Sequence, residues 1–170
     1  IRFNETDARV LGRTARGVRA LNLEEDDIVV GMVPVMENTT VLTVSENGQG
    51  RRTDPAEYRL QSRGGKGIKN YDTQKNGPVA GVLAVGEEDD VILISDDGII
   101  IRIPVAEIST QSRYAGGVRV MRIGEGSRLV SLCRAPHEDE EEAAAESEAP
   151  AEAEAPAEET ADSTESPVEE

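Results

Sequence analysis

The chain repeats itself every 50 residues, and no other feature narrows its fold as much. Arg13, Arg63 and Arg113 share a column. Gly17, Gly67 and Gly117 share another, followed by Val18, Ile68 and Val118 and then by Arg19, Lys69 and Arg119. Asp7, Glu57 and Glu107 align, as do Arg2, Arg52 and Arg102. Residues 41–45 match residues 91–95, and Gly48 matches Gly98, with no insertion or deletion in these columns. Repeats that keep register stack side by side, each covering an apolar face that its neighbour cannot bury alone. Ile1 aligns with Arg51 and Ile101, so the sequence opens in mid-repeat, holds two full units and most of a third, and reads as a fragment.

Each unit is expected to form about four short strands. Residues 41–45 and 91–95 are β-branched apolar runs that lead into Glu46-Asn47-Gly48-Gln49 and Asp96-Asp97-Gly98. Asn-Gly and Asp-Gly supply the positive φ angles of tight hairpins. The chain then returns through residues 50–53 and 99–103. A third strand is expected after each column glycine, at residues 17–23, 67–71 and 117–123. A fourth is expected at 28–35, 79–85 and 129–132, with acidic turns at 24–27 and 87–90. No segment of the body sustains a period near 3.6, so helix is a minor component. About 40–50 residues and four strands per unit is the arithmetic of a propeller blade. The fold class is therefore all-β, with propeller-like blades of antiparallel strands in a partial ring that leaves the faces of its end units uncovered. A parallel β-helix is the poorer alternative, because it has no tight reversals. The expected divisions are a partial blade at 1–40, a blade with a glycine-rich loop at 41–90, a last blade at 91–135, and a tail at 136–170.

Composition separates the body from that tail. Of 34 acidic residues, 15 fall in residues 136–170 with no basic partner, leaving 19 acidic and 18 basic side chains in the body. A tail of Glu, Ala, Pro, Ser and Thr with so much like charge cannot recover its ordering entropy, so disorder is expected there. With no Trp and one Phe, the core must come from Val, Ile and Leu. Apolar runs fall far short of the roughly 20 residues that span a bilayer, so no membrane partner is expected. Cys133 is alone, which excludes an internal disulfide, and it reads as a buried or half-buried filler. His137 has no second nitrogen ligand nearby, and no metal site is expected.

The chemistry lies in Gln61-Ser62-Arg63-Gly64-Gly65-Lys66-Gly67. Its glycines let the backbone bend and approach a ligand, and its two cations suit a phosphate. Its spacing is not that of a nucleotide-binding P-loop, and it is expected to enter a strand rather than a helix. The other units echo it at Gly12-Arg13-Thr14-Ala15-Arg16-Gly17 and Ser112-Arg113-Tyr114-Ala115-Gly116-Gly117. Laid side by side, such units would set Arg13, Arg16, Arg19, Arg63, Lys66, Lys69, Arg113 and Arg119 in a stripe suited to a bent duplex backbone. Arg2, Arg52 and Arg102 sit inside strands and are expected to pair structurally.

Residues 61–67 are similar to the gyrase-A box, Q-R-R-G-G-K-G, at six of seven positions, with Ser62 where the box has Arg. Ser45-Glu46-Asn47-Gly48, Ala56-Glu57-Tyr58-Arg59 and Gly117-Val118-Arg119 extend the resemblance to the C-terminal domain of the DNA gyrase A protein, over residues 1 to about 135. The resemblance implies a six-bladed β-pinwheel whose basic rim wraps double-stranded DNA in support of ATP-dependent negative supercoiling by a type II topoisomerase. The implied DNA-binding set is Arg13, Arg16, Arg19, Gln61, Arg63, Gly64, Gly65, Lys66, Gly67, Lys69, Arg113 and Arg119. It also implies an A2B2 heterotetramer with the gyrase B protein, assembled through N-terminal regions and housed in the bacterial cytoplasm at the nucleoid. ATP and Mg2+ would belong to the gyrase B partner. The DNA-cleaving tyrosine would lie upstream, none of Tyr58, Tyr71 and Tyr114 matching it, so this stretch would be non-catalytic and hold no cofactor. The family carries its defining box in the first blade, whereas residues 61–67 fall in the penultimate one and make a box-like echo. The alternatives are the corresponding C-terminal domain of topoisomerase IV and a propeller that docks proteins.

Overall fold

A computed structural model describes residues 1–137, which form one compact unit. The expected disorder of the acidic tail lies, from residue 138 on, outside the described residues. Seven strands make up the fold: β1 (Thr40–Ser45), β2 (Gln49–Thr53), β3 (Val79–Val85), β4 (Asp89–Ser95), β5 (Ile100–Pro104), β6 (Val118–Arg119) and β7 (Leu129–Pro136). All named strand pairs are antiparallel, in a four-stranded sheet ordered β3-β1-β2-β6 and a three-stranded sheet ordered β5-β4-β7.

The 50-residue period is visible in the backbone. β1 pairs with β2 and β3, and β4 repeats that arrangement with β5 and β7. Both hairpins turn through a positive-φ glycine, Gly48 at 73° and Gly98 at 84°. Short 3-10 turns at Glu5–Asp7, Pro55–Glu57 and Val105–Glu107 fall at the same place in each unit. Two are capped alike, with Asn4 Oδ1 and Asp54 Oδ1 each accepting from the amide two residues on. The column glycines Gly17, Gly67 and Gly117 have φ of 82°, 78° and 87°, a conformation that side-chain-bearing residues rarely adopt.

One core serves both sheets. Leu42, Val44 and Val85 from the first join Val91, Leu93 and Leu129 from the second, with Val105, Ile108, Val120 and Met121 closing around them. Each such burial contributes about 1.5–3 kcal/mol of transfer free energy. β3 and β7 approach closely enough that a Cβ on Gly81 would lie 2.3 Å from the Leu132 side chain. Among the described residues, helix is confined to one turn, α1 (Thr73–Asn76), and the 3-10 turns.

Two expectations about strands need correction. Residues 28–35 are not a strand, and the expected third strands at 17–23 and 67–71 do not form; only Val118 and Arg119 of 117–123 do. Pairing partners explain this. β3 pairs with residues 34 to 45 positions before it, and β6 with residues 68 and 70 positions before it. Among the described residues, 28–35, 18–19 and 68–69 find no such strand partner. Most apolar side chains of 28–35 are accordingly uncovered, with Ile28 80% and Met32 88% exposed. The fourth strand of the first sheet, β6, comes from the following unit, so consecutive units interlock. Cys133 is exposed rather than buried, because it follows Leu132 on β7, and Leu132 takes the face that packs on the core.

Candidate nucleic-acid interface

Each glycine-rich loop packs against the unit before it, and the two such junctions are built in register. Gln61 N–H donates to Arg2 O at 2.9 Å, and Gln111 N–H donates to Arg52 O at 2.8 Å, 50 residues further on. Parallel bridges Arg2 to Leu60 and Arg52 to Thr110 lie beside these bonds. The guanidinium of Arg2 donates to Tyr58 O, and that of Arg52 to Ile108 O, each across 56 residues. Arg63 Nη1 donates to Arg19 O, and Arg113 Nη1 to Lys69 O, each across 44 residues.

At the first junction the loop at 61–67 is further pinned by Gly64 N–H on Ala20 O at 2.6 Å and by Asn22 N–H on Gly65 O at 3.0 Å. Arg63 Nε donates to Asp7 O at 2.9 Å. Gly67 closes against Ile1, where an added Cβ would sit 3.0 Å from Ile1 N. The amides of Gln61 and Gly64 are thus already engaged by carbonyls, so the phosphate-binding capacity of this loop rests on its cations more than on those two N–H groups. Lys66 Nζ stands 3.1 Å from Glu24 Oε1 with both side chains mostly exposed. Such a pair is worth about 0–1 kcal/mol, so the ammonium can exchange its partner for a phosphate.

At the second junction Lys69, Lys75, Arg113 and Tyr114 line a cavity of about 200 Å³ with Asn70 and Asp72. Lys69 Nζ lies 3.4 Å from Asp72 Oδ1. The Arg113 guanidinium stacks 4.3 Å from the Tyr114 ring and also donates to its hydroxyl, so less of it is available outward than of Arg63. Arg119, on β6, is exposed. The structure therefore brings Arg19, Arg63 and Lys66 together at one junction, and Lys69 and Arg113 at the next. Arg13 and Arg16 are exposed beside the turn closed by Ala15 N–H on Gly12 O.

Two participants carry no repeat signal. Lys75 sits on α1, where the other units have turns with Glu25 and Glu125 in its column. Arg51 is 1% exposed, in a column otherwise occupied by Ile1 and Ile101. Its guanidinium donates to Ala115 O at 2.8 Å, Arg113 O at 2.7 Å and Asn70 O, and its Nε to Thr53 Oγ1. It also lies 4.9 Å over the Tyr71 ring. Desolvation lowers the Arg51 pKa, opposed by Tyr58, Tyr71 and Glu57. Burial raises the Tyr58 and Tyr71 pKa values, so both hydroxyls stay protonated near neutral pH. The one Tyr71 hydroxyl proton is shared between the carbonyls of Gln49 and Gly116, at 3.2 and 3.3 Å. Only the odd residue in its column could have drawn attention to Arg51.

The strand arginines are structural. Arg52 pairs with Glu87, whose pKa is lowered by that hydrogen bond and the adjacent charge. Arg102 Nε lies 2.6 Å from Asp90 Oδ2, and His137 Nδ1 lies 2.7 Å from Asp90 Oδ1. Burial alone would raise the Asp90 pKa, but these hydrogen bonds and charges outweigh it and hold the pKa below the usual carboxylate value. Among the described residues no group of His, Cys, Asp and Glu is arranged to hold a metal, and no helix is long and apolar enough to cross a membrane.

Interlocked antiparallel units, each presenting a cationic glycine-rich loop at the same register, define a propeller-type repeat protein with basic inter-unit loops. A family model described as "DNA gyrase C-terminal domain, beta-propeller" matches residues 1–36, 39–85 and 89–132, and the chain belongs to that family. The DNA gyrase A protein of Haloquadratum walsbyi is 49% identical over 63 residues, which cover 36% of this chain and 7% of that protein. Its counterpart from Staphylococcus epidermidis is 50% identical over 62 residues, covering 35% and 7%. A solved DNA gyrase A C-terminal domain superposes with a TM-score of 0.70 at 33% identity, over 78% of this chain and 45% of that one. The C-terminal domain of DNA topoisomerase IV gives a TM-score of 0.73 at 24% identity, over 85% and 46%, a likeness of fold alone. The matched stretches are thus a small part of the curated relatives and under half of the solved domains.

Proposed function

We propose that this chain is a non-catalytic, DNA-wrapping part of a gyrase A protein. Cations at the inter-unit loops grip the phosphates of a curved double helix along a common edge. Carrying this reading is the register of the two junctions, where the exposed cations Arg19 and Lys69, 50 residues apart, project from main chain held by equivalent arginine bonds. Affinity would come from phosphate neutralisation, with little base readout, because the loops offer charge rather than side chains suited to base edges. Strand cleavage would belong to other parts of the gyrase A protein. ATP hydrolysis and Mg2+ would belong to the gyrase B protein, in an A2B2 type II topoisomerase working on the bacterial chromosome in the cytoplasm. The loop at 61–67 leads into residues 68–71 without a helix, which supports leaving nucleotide binding to that partner. The near-complete box echo favours gyrase over topoisomerase IV. The test is the full chain with Lys66→Glu and Lys69→Glu together, titrated against a linear duplex at about 0.1 M salt. Two reversed charges should weaken binding more than tenfold. Unchanged binding would favour a protein-docking role instead.

A further inference from the structure

The arginine column at 63 and 113 holds residues whose natural reading is phosphate ligand, yet the geometry gives them another occupation. Arg63 Nη1 donates to Arg19 O at 3.1 Å, while Arg63 Nε donates to Asp7 O at 2.9 Å. Arg113 repeats the first bond on Lys69 O across the same 44 residues. In both cases the acceptor is the main chain of a residue that is itself an exposed cation of the preceding unit, in the column that Arg119 continues. We infer that Arg63 and Arg113 are positioning residues: each ties its own loop to the backbone of the preceding unit's cation and so fixes where Arg19 and Lys69 project. The inference rests on the DNA-wrapping reading for its purpose, but the tie itself is a property of the free protein.

The chemistry of the fork makes this specific. A guanidinium presents donors in a fixed plane and can span two carbonyls at once, whereas an ammonium is a point donor on a flexible stem. The acceptors are carbonyls, not carboxylates, so the ties leave the positive charge unneutralised. At the second junction Arg113 Nη2 is taken by Tyr114 Oη, and Arg113 Nε is buried with no hydrogen-bond partner among the described residues. Both Nη groups of Arg113 are therefore engaged within the protein. The side chains left to reach phosphates are Arg13, Arg16, Arg19, Lys66, Lys69 and Arg119.

The experiment compares Arg63→Lys, Arg63→Gln and Lys66→Gln in the full chain. A phosphate ligand tolerates lysine, because charge is what it supplies; a two-carbonyl tie does not. Amide exchange at Asn22 and Gly64, read without DNA, should speed up about tenfold in both Arg63 variants and stay unchanged in Lys66→Gln. Duplex affinity in Arg63→Lys should fall about as far as in Arg63→Gln. Arg63→Lys binding like the unaltered chain, with exchange unaltered, would overturn the inference and return Arg63 to the phosphate set. If the unaltered chain ignores the duplex, the DNA reading fails, and the exchange result still decides the tie. Should Arg63→Gln lose its fold, Arg63→Lys carries both readouts.

Discussion

The junction around residues 61–67 and the junction around residues 111–117 follow one plan with different fastenings. Both use a glutamine amide on an arginine carbonyl and an arginine fork on the main chain 44 residues back. The second adds the buried Arg51 across two loop carbonyls, the Glu57 carboxylate accepting Arg113 N–H at 2.7 Å, and the β6 pairing to β2. The first has Ile1 where the second has Arg51, and no strand pairing beyond the Arg2 bridge. Main-chain acceptors keep the plan constant between units because they do not depend on the side chain. The first has fastenings of its own in Gly64 N–H on Ala20 O, Asn22 N–H on Gly65 O and Arg63 Nε on Asp7 O, but the buried guanidinium and the strand ladder of the second make it the firmer one.

The largest expected effect is at Arg51. Replacing it with Ile, as the first junction has, leaves the carbonyls of Asn70, Arg113 and Ala115 without their buried donor and should cost about 3–5 kcal/mol in denaturant unfolding. A loss below about 1 kcal/mol would mean that the two junctions are equally firm. Next come the column glycines. A Cβ on Gly117 would stand 2.5 Å from Gly50 O, against 3.0 Å from Ile1 N for Gly67. Gly117→Ala should cost about 2–3 kcal/mol and Gly67→Ala about 1–2 kcal/mol in the same assay. Reversal of that order would break the comparison.

Acid should separate the junctions further. Arg52 is held by Glu87, whereas Arg2 donates to the carbonyls of Pro55 and Tyr58. The Glu87 pKa is depressed below 4.5 in the folded state, so its contribution is present above that ordinary value and is lost as pH falls through the depressed one. Amide exchange at Gln111 should therefore rise more steeply below pH 4.5 than at Gln61, and Glu87→Gln should abolish the difference. The smallest effect concerns the tail. If the acidic tail competes with DNA for the same cations, deleting residues 136–170 should tighten duplex binding about threefold at low salt. Unchanged affinity in a mobility assay would remove that competition.

Much of the fold is legible in the 50-residue period. The hairpins at Gly48 and Gly98, the turns after Asn4 and Asp54, and the glycine column all need particular residue types, and those residues recur. The ties are not legible, because Arg63 and Arg113 bind carbonyls, which every residue carries and which leave no mark in a sequence. Arg51 is hidden for the opposite reason: an arginine is ordinarily exposed, and its burial follows from two loops converging on it. The third and fourth strands expected in the first unit do not form, because a strand needs a partner as well as β-branched residues. Residues 28–35 have the residues without the partner.

Phosphate gripping is tested most directly by how the duplex affinity of the full chain depends on salt. Six outward cations, Arg13, Arg16, Arg19, Lys66, Lys69 and Arg119, should give a slope of log K against log salt of about −5, at roughly 0.9 per phosphate. A slope near −7 would put Arg63 and Arg113 on phosphates and remove the ties. A slope near zero would contradict phosphate gripping altogether.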